Sequence, residues 1–462
     1  MSREQLLAVV VEQDARIEAL AAQVAALTAR LGQNSGNSSL PPSSDRFVKP
    51  QRDRRAGSAR RPGKQPGAPG AGLALVPDPD QVVEHVPSCC AGCGAGLEAA
   101  PDVGVVVRQV RDVPLVTPTV TEHRMRKRVC GCGQVTAAAA PAGVDAPACY
   151  GPNLRAVAVY LVVFQHVPVQ RAALLIADLT GAAVSTGWVS AQVARASQAL
   201  ADVEALIKAM IVASLVIGVD ETTLNIAGVK AWLHVARTDL LTAYHLHASR
   251  GRVAVNEFAV LPGYTGTVVH DALSVYDGPA YGTATHALCG AHLLRELTAV
   301  EQDHPGAGWP AQARSALADL NILARDARAN GHSAIPAELA AQPLLLFRHA
   351  VLVGLAGHAR VPGRKQSKAR NLLERLRDRQ DQVLLFASDV TVPFTNNGSE
   401  RDLRPVKTQI KISGCHRAST GAAAWLRVRG YISTVRKHGD DVLTALRDAM
   451  TGNPWQPPIP AT

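Results

Sequence analysis

The order of strand-like and helical segments between residues 214 and 300 constrains the fold more than any other feature of this sequence. Three apolar segments of strand length, separated by short turns, come first at residues 215–220, 229–237 and 241–247. After them come a helical segment, two more strand-like segments and a helix, at residues 252–261, 267–271, 285–289 and 291–300. Three strands in a meander followed by strands and helices favour one mixed sheet with helices packed on it.

This order predicts a ribonuclease-H-like core, in which the first and fourth strands are neighbours in the sheet. Residues 306–390 show helical periodicity with little strand character, which predicts a helical insertion. The core would then have a first part at 211–305 and a second part at 391–450, followed by a tail at 451–462. The predicted fold class is a multidomain α/β protein built around this mixed sheet.

Three acidic residues follow or open segments of this predicted core. Asp220 ends the run LVIGVD and Asp271 ends TGTVVHD, while Glu400 lies in TNNGSERDLRP, where asparagines and a serine predict a helix start. Converging carboxylates suit Mg²⁺ (or Mn²⁺). Two such ions about 3.5–4 Å apart can activate an attacking oxygen and stabilise a leaving oxygen at a phosphodiester. We therefore expect Asp220, Asp271 and Glu400 to be catalytic metal ligands, with two ions per active site.

Each carboxylate also has a simpler explanation. Asp220 can cap a strand, and Glu221 beside it is a second candidate, although the alternation of a strand ending at 220 would point Glu221 away. Asp271 can be a turn residue; its rival Asp277 precedes a glycine, which is typical of an ordinary turn. Glu400 can be an acid in a first helical turn, stabilised by the helix dipole.

The charge of the chain favours a polyanionic partner. The 462 residues carry 48 Lys and Arg against 38 Asp and Glu, a formal net charge of +10. The sequence shows no run of about 18 apolar residues and no signal-peptide pattern. We therefore expect no membrane association and a cytoplasmic, nucleoid-associated protein. In that compartment, clustered cysteines favour metal binding over disulfides.

A heptad repeat predicts a coiled coil over residues 1–33 and hence a homo-oligomer. Apolar residues alternate at spacings of three and four, with Gln13 as the polar exception: Leu6, Val10, Ile17, Leu20, Val24, Leu27 and Leu31. A lone amphipathic helix packed on its own domain would show the same pattern. The segment that follows offers nothing to pack against, which favours self-association.

Residues 34–75 are predicted to be a disordered basic linker, because Pro, Gly and Ser dominate and no core is possible. Between Asp45 and Lys64 there are eight Arg and Lys against two Asp. This segment is expected to contact DNA phosphates, or to be only a solvated linker. The candidate contacts are Arg54, Arg55, Arg60, Arg61 and Lys64.

Two close cysteine pairs predict a structural zinc-binding module at residues 76–148. Cys90 and Cys93 lie in CAGCG, Cys130 and Cys132 lie in CGCG, and valine-rich, strand-like sequence separates the pairs. Four thiolates in two pairs are typical of structural Zn²⁺, although unliganded thiols remain the alternative. Basic residues next to the second pair are candidate DNA contacts: Arg126, Lys127 and Arg128.

Residues 149–210 are predicted to be all helical. Segments 170–179 and 185–196, separated by Thr180 and Gly181, are typical of a helix-turn-helix DNA-binding domain. Any two antiparallel helices joined by a short turn would show a similar pattern.

A second basic group follows Glu400. Arg401, Arg404 and Lys407 have near-helical spacing and are expected to contact phosphate, or to pair with Asp402; Lys411 and Arg417 extend the group. Upstream, His286, Cys289 and His292 form H-x-x-C-x-x-H. This spacing fits no usual four-ligand zinc site, so core or DNA-contact roles are expected there.

Several segments together make nearly the whole chain resemble the transposases of the insertion sequence 66 family. They are NSSLPPSSD, RRPGKQPGAPG, CAGCG with VCGCG, GVDETTL, VVHDALSVYDG, HALCGAHLLREL and TNNGSERDLRPVKTQIKISGCHRASTGA. The sequence departs from the family in lacking a Trp after the Cys of HALCGAHLLREL and in the short second cysteine knuckle. The resemblance implies a DDE transposase whose catalytic metal ligands are Asp220, Asp271 and Glu400.

The resemblance further implies binding of double-stranded DNA at the terminal inverted repeats of an element, strand cleavage and strand transfer into target DNA, with accessory element-encoded proteins as possible partners. Two other functions remain open from the residues themselves. A DNA-binding regulator would need only the zinc module, the helix-turn-helix and the coiled coil. A ribonuclease-H-like nuclease would cut DNA without joining it.

Overall fold

The computed structural model describes residues 3–34, 36–38, 73–113 and 116–459. It divides into two compact units, Val48–Thr117 and a larger unit formed by Met1–Phe47 with Pro118–Thr462. The predicted basic contacts of the linker lie outside the described residues: Arg54, Arg55, Arg60, Arg61 and Lys64.

The smaller unit corrects one expectation. Its valine-rich sequence was expected to form strands, but among residues 73–113 the only β pairing is an isolated bridge between Cys89 and Gly96. Val103, Val105 and Val110 are exposed there. Alternating valines alone do not make a strand, because a strand also needs a paired neighbour and a face to bury.

The larger unit begins with a helix and a small hairpin. Helix α1 spans Arg3–Leu31, and strands β1 (Lys127–Val129) and β2 (Val135–Ala137) pair antiparallel. Apolar side chains of α1 such as Leu20 and Val24 are exposed in the single chain. The helix is therefore confirmed, and its pairing into a coiled coil stays a prediction.

Residues 152–212 are helical, as predicted. The helices are α2 (Pro152–Val159), α3 (Val169–Thr180), α4 (Thr186–Ala199) and α5 (Ala201–Val212), and α2 continues into a π-helical turn, Tyr160–Phe164. Gly181 ends α3 with φ +72°, a left-handed conformation that glycine adopts without strain. Ser185 begins α4 by accepting a hydrogen bond from the Trp188 amide. The hairpin of α3 and α4 is thus present, while DNA binding by it stays a prediction.

The centre of the larger unit is a five-stranded mixed sheet with the order β5-β4-β3-β6-β7. Its strands are β3 (Val216–Ile226), β4 (Val229–Arg237), β5 (Thr242–His247), β6 (Thr267–His270) and β7 (Thr285–Leu288). β3, β4 and β5 form the antiparallel meander, and β6 lies parallel to β3, as predicted. This order is the one expected of a ribonuclease-H-like core.

Helices pack on the sheet and on one another. The helices that follow β5 are α6 (Arg252–Phe258), α7 (Gly290–Asp303), α8 (Trp309–Ala329), α9 (Ala337–Gly357), α10 (Lys368–Asp378), α11 (Gln380–Ser388), α12 (Asn397–Ser413), α13 (Ser419–His438) and α14 (Val442–Met450). α8 to α11 form the predicted helical insertion, and their apolar core also includes Leu293 and Leu297 of α7. α13 packs on β5, and a larger core cluster joins the sheet to α5, α13 and α14.

One helix differs from the expectation about membranes. Among the described residues, α9 is long and apolar enough to cross a bilayer by length and composition alone, whereas no such segment was expected. Phe347 and Ala350 of α9 are fully buried in a cluster with Leu317 of α8 and Leu373 of α10. Core helices pass the same test, so the feature is weak support for a membrane span.

Candidate active site

The pairing of β3 with β6 places Asp220 and Asp271 side by side. The parallel register joins Val216 to Thr267 and Gly218 to Val269. Asp220 and Asp271 each come two residues after that last pair. Asp220 lies within β3 and Asp271 directly follows β6, so the two residues hold equivalent positions along neighbouring strands. The adjacency predicted from strand order is therefore present.

The expected position of Asp220 within its strand was wrong. β3 does not end at Asp220 but continues to Ile226, because its antiparallel pairing with β4 persists through Asp220 opposite Val235. Only the parallel neighbour ends at this level, at His270. Asp220 therefore lies where β3 loses one neighbour and keeps the other.

Glu400 reaches the same region from the first turn of α12. Asn396, just before the helix, does not cap it with its side chain. Its side-chain amide instead donates to the Val219 carbonyl at 2.6 Å and accepts from the Ser399 hydroxyl at 2.7 Å. This attachment fixes the start of α12 to β3 one residue before Asp220.

The carboxylates at this edge act on one another electrostatically. The pKa of Asp220 lies well above its usual range, because burial disfavours the charged form and because Glu221, Asp271 and Glu400 add negative charge. A half-buried group of like charges is unfavourable unless protons or cations neutralise it. The donor set, with its oxygen ligands and surplus negative charge, fits a hard divalent cation.

Glu221 remains part of this cluster, although the alternation of the strand was expected to point it away. Burial raises the pKa of Glu221, and the charge of Asp271 raises it further. Its side chain accepts from the Tyr276 hydroxyl at 2.6 Å and pairs with Arg250 at 2.7 Å. The rival Asp277 is instead paired with Arg379 at 2.9 Å.

Helix α7 brings positive charge to the cluster. Arg295 pairs with Glu400 at 2.7 Å, and His292 Nε2 lies 3.9 Å from the same oxygen. Burial lowers the pKa of His292, as does Arg295 nearby, while Asp271 and Glu400 oppose the shift. The Cys289 sulfur accepts a hydrogen bond from the backbone amide of Asn396 at 3.1 Å. Arg295 was not among the predicted site residues; its position three residues after His292 on α7 is the sequence signal that could have identified it.

In the part of the chain that the structure describes, no three His, Cys, Asp or Glu side chains lie close enough together to hold a metal ion as they stand. In H-x-x-C-x-x-H the three side chains separate: His286 Nδ1 faces His270 Nε2 at 2.9 Å, Cys289 contacts Asn396, and His292 faces Glu400. The core or DNA-contact roles expected for this motif stay a prediction.

The basic residues after Glu400 divide into two groups. Lys407 is half-buried and donates to the Thr223 carbonyl at 3.0 Å. The alternative that Arg401, Arg404 and Lys407 pair with Asp402 was wrong. Asp402 instead pairs with Lys437 at 2.7 Å and with Arg237 at 3.4 Å. Four others are exposed and make no side-chain hydrogen bond or ion pair within the described residues: Arg401, Arg404, Lys411 and Arg417.

Each cysteine pair forms its own tight turn. The Gly94 amide donates to the Cys90 carbonyl, and the Gly133 amide donates to the Cys130 carbonyl, both at 2.8 Å. The pKa of Cys90 is lowered because the Cys93 and Gly92 amides hydrogen-bond its sulfur, and the pKa of Cys130 is lowered by the Cys132 amide in the same way. Stabilised thiolates are the form that binds zinc. Arg126, Lys127 and Arg128 beside the second pair are exposed.

A five-stranded mixed sheet with helices around it and acidic residues at the point where one strand ends fits the catalytic core of a transposase. Residues 147–424 match the family described as Transposase IS66 family. This match covers more than half of the chain, which therefore belongs to that family and has DNA as its partner. Residues 3–74 match a family of unknown function (DUF6444). No curated protein matches the chain.

Proposed function

We propose that the chain is a DDE transposase that cleaves DNA strands at the terminal inverted repeats of its element and transfers them into target DNA. Asp220, Asp271 and Glu400 are the catalytic residues of this proposal. The observation that carries it is the parallel register of β3 and β6, which gives Asp220 and Asp271 equivalent positions. The attachment of α12 to Val219 supports the inclusion of Glu400.

In this proposal the three carboxylates hold two Mg²⁺ or Mn²⁺ ions. When bound, the ions supply activation of the attacking water or 3′-hydroxyl and stabilisation of the departing 3′-oxygen. To hold a cation, Asp220 would release to solvent the proton that its raised pKa favours, and Glu400 would give up its ion pair with Arg295. Tyr276 and Arg250 hold Glu221 beside the ligands, which keeps an additional negative charge at the site.

Exposed basic side chains are the proposed DNA contacts. Arg401, Arg404 and Lys411 lie on the helix that carries Glu400, where a phosphate would come near the carboxylates. Arg417 follows the end of that helix. Lys407 can contribute its charge only if it leaves the Thr223 carbonyl. Further proposed DNA contacts are the hairpin of α3 and α4, the basic residues near Cys130 and, outside the described residues, the basic residues of the linker.

We further propose that the two cysteine pairs bind structural zinc and that α1 joins copies of the chain as a coiled coil. A Cys90→Ser Cys130→Ser double variant should lose the zinc measured by atomic absorption in the purified protein. Cys149→Ser, at an exposed cysteine outside the pairs, should keep it. The proposed location is the cytoplasm, in association with the nucleoid.

The test of catalysis is a strand-transfer assay with paired element-end fragments, target DNA and Mg²⁺. Asp271→Asn should abolish both cleavage and joining and still bind the end fragments. Asp277→Asn, the same change six residues away on a residue paired with Arg379, is the matched control and should retain both activities. Cleavage without joining by the wild type would indicate a nuclease, and binding without cleavage would indicate a regulator. An active Asp271→Asn variant would refute the assignment of that ligand.

A further inference from the structure

A second site of unusual chemistry lies away from the acidic cluster, where the π-helical turn after α2 meets α13. A cleft of about 600 Å³ opens there to solvent. None of the three proposed catalytic residues lines it. Its main lining residues are Tyr160, Phe164, His166, Arg429, Arg436 and Asp440.

Arg429 is a buried cation that makes no ion pair within the described residues, although Tyr244 and Asp402 stabilise its charge. The residue is 8% exposed, and within the described residues its Nε and Nη1 atoms have no hydrogen-bond partner and the side chain has no ion pair. Burial lowers the pKa of Arg429, but a guanidinium keeps its charge in proteins. A buried charge that is neither paired nor fully hydrogen-bonded is costly and calls for an explanation.

Arg436 adds a second guanidinium on the same side of α13. It lies seven residues after Arg429, close to two helical turns, and is exposed at the cleft. The guanidinium carbons of Arg429 and Arg436 lie 5.4 and 5.2 Å from the centre of the Phe164 ring. The aromatic ring therefore keeps both guanidiniums beside the same cleft without neutralising either.

The backbone on the other side of the cleft is strained. The Gln165 amide donates to the Tyr160 carbonyl, which makes a π-helical turn, and His166 has φ +58°. Single π turns and left-handed residues other than glycine occur preferentially at functional sites. His166 Nδ1 is a further buried polar atom without a hydrogen-bond partner in the described part of the chain.

Asp402 stabilises the charge of Arg429 from a distance, but its carboxylate is paired with Lys437 and Arg237, and neither acidic residue at the cleft forms an ion pair with Arg429 within the described residues. Asp441 begins α14, and its side chain accepts the Thr444 amide at 2.7 Å. Asp440 is exposed, and no ion pair joins it to Arg436 within the described residues. The unsatisfied groups in the cleft are thus mainly hydrogen-bond donors with positive charge.

We propose that this cleft binds a phosphate group through Arg429 and Arg436. Arginine presents a planar set of donors that matches phosphate oxygens, and two of them can hold one phosphate. The phosphate can belong to a DNA backbone or to a free nucleotide. The DNA source rests on the proposed transposase function, and the phosphate chemistry does not.

The first experiment measures phosphate binding by the full-length chain in EDTA, where no DNA cleavage takes place. Inorganic phosphate is titrated at constant ionic strength while thermal unfolding is followed. We expect phosphate to raise the Tm of the wild type and of Arg325→Ala, a control at an exposed arginine without an ion pair in the described residues. We expect little or no rise for Arg436→Ala and Arg429→Gln. Equal rises in all four proteins would overturn the proposal.

Two further measurements keep the test decisive. Circular dichroism checks folding, and if Arg429→Gln fails to fold, the exposed Arg436→Ala decides the outcome alone. The second measurement is the affinity of the chain for a double-stranded 30-mer, with and without dAMP as a competitor. DNA as the source predicts that Arg436→Ala weakens duplex binding roughly tenfold and lowers the salt slope by about one. A free nucleotide as the source predicts that dAMP competes and duplex affinity stays the same.

Failure of this proposal differs from failure of the proposed function. A wild type that binds phosphate but cleaves no DNA in Mg²⁺ would contradict the catalytic assignment and leave the cleft proposal supported. A wild type that cleaves and joins DNA, with a phosphate response equal to that of both cleft variants, would contradict the cleft proposal alone.

Discussion

Gly218→Ala should separate the helix that carries Glu400 from the strand that carries Asp220. Gly218 lies on β3, two residues before Asp220, where α12 approaches most closely. An added Cβ would stand 2.5 Å from Asn396 Oδ1 and 2.8 Å from Ser399 Oγ. Real carbon atoms do not come this close, so the Asn396 and Ser399 side chains must shift, and we expect the start of α12 to move away from β3 with them.

The expected cost has two parts. Overpacking in a well-packed interior costs roughly 1–3 kcal/mol. Displacement of Asn396 also threatens its hydrogen bond to the Val219 carbonyl, and a buried acceptor without a donor costs roughly 1–3 kcal/mol. Partial relaxation makes the sum smaller than the two maxima, so we expect a loss of about 2–4 kcal/mol. A shift of about 1 Å between Glu400 and Asp220 would further reduce DNA cleavage about a hundredfold.

Urea unfolding and the strand-transfer assay measure the two effects. The control is Gly421→Ala, because Gly421 lies in α13 with nothing within 4 Å of an added Cβ. Alanine at that helical position should be neutral or stabilise by up to about 1 kcal/mol. If Gly218→Ala unfolds at the same urea concentration as the wild type and cleaves DNA equally well, the close attachment of α12 to β3 does not govern the site.

Three other outcomes follow from the structure. The pKa of Asp220 is raised in the folded state, so its stabilising contribution is present below about pH 4, the usual carboxyl pKa, and is lost as pH rises through the folded value. In EDTA, the Tm of the wild type should therefore fall more between pH 5 and 8 than the Tm of Asp220→Asn. Parallel curves would contradict this. Arg295→Gln should bind Mn²⁺ more tightly in calorimetric titration, because a cation 2.7 Å from Glu400 is removed; weaker binding would show that Arg295 instead prepares Glu400 for metal. Leu20→Asp with Leu27→Asp on α1 should reduce the oligomer to a monomer in light scattering, and an unchanged mass would exclude a coiled coil through this face.

The sheet was predictable because its order depends on local information. Short turns join the first three strands into a meander, and a helix before the fourth strand allows parallel pairing with the first. These features alone predict, from the sequence, that Asp220 lies beside Asp271. The end of β3 was not predictable, because the extension to Ile226 depends on pairing with β4 rather than on the apolar run itself.

The side chains that contact the acidic cluster were harder to predict from the sequence than the acidic residues themselves. Tyr276, Arg250 and Arg295 come from three different segments, and only packing decides which charged side chains meet. Asp402 illustrates the same limit. Neighbouring cations in sequence made an ion pair within α12 plausible, yet its position on the helix turns it toward Lys437 of α13.

The segment from α7 to the start of α12, which contains the helical insertion, separates Asp271 from Glu400 in sequence, but its two ends meet. Gly290 at the start of α7 donates its amide to the Phe394 carbonyl at 2.8 Å, and the Asn396 amide donates to Cys289 at 3.1 Å. A Cβ at residue 290 would lie 2.2 Å from the Phe394 ring, so glycine permits this contact. The chain therefore returns from the insertion to the point where it left the sheet. Because of this return, the contact between residues 289–290 and 394–396 holds Glu400 near Asp271 despite their separation in sequence.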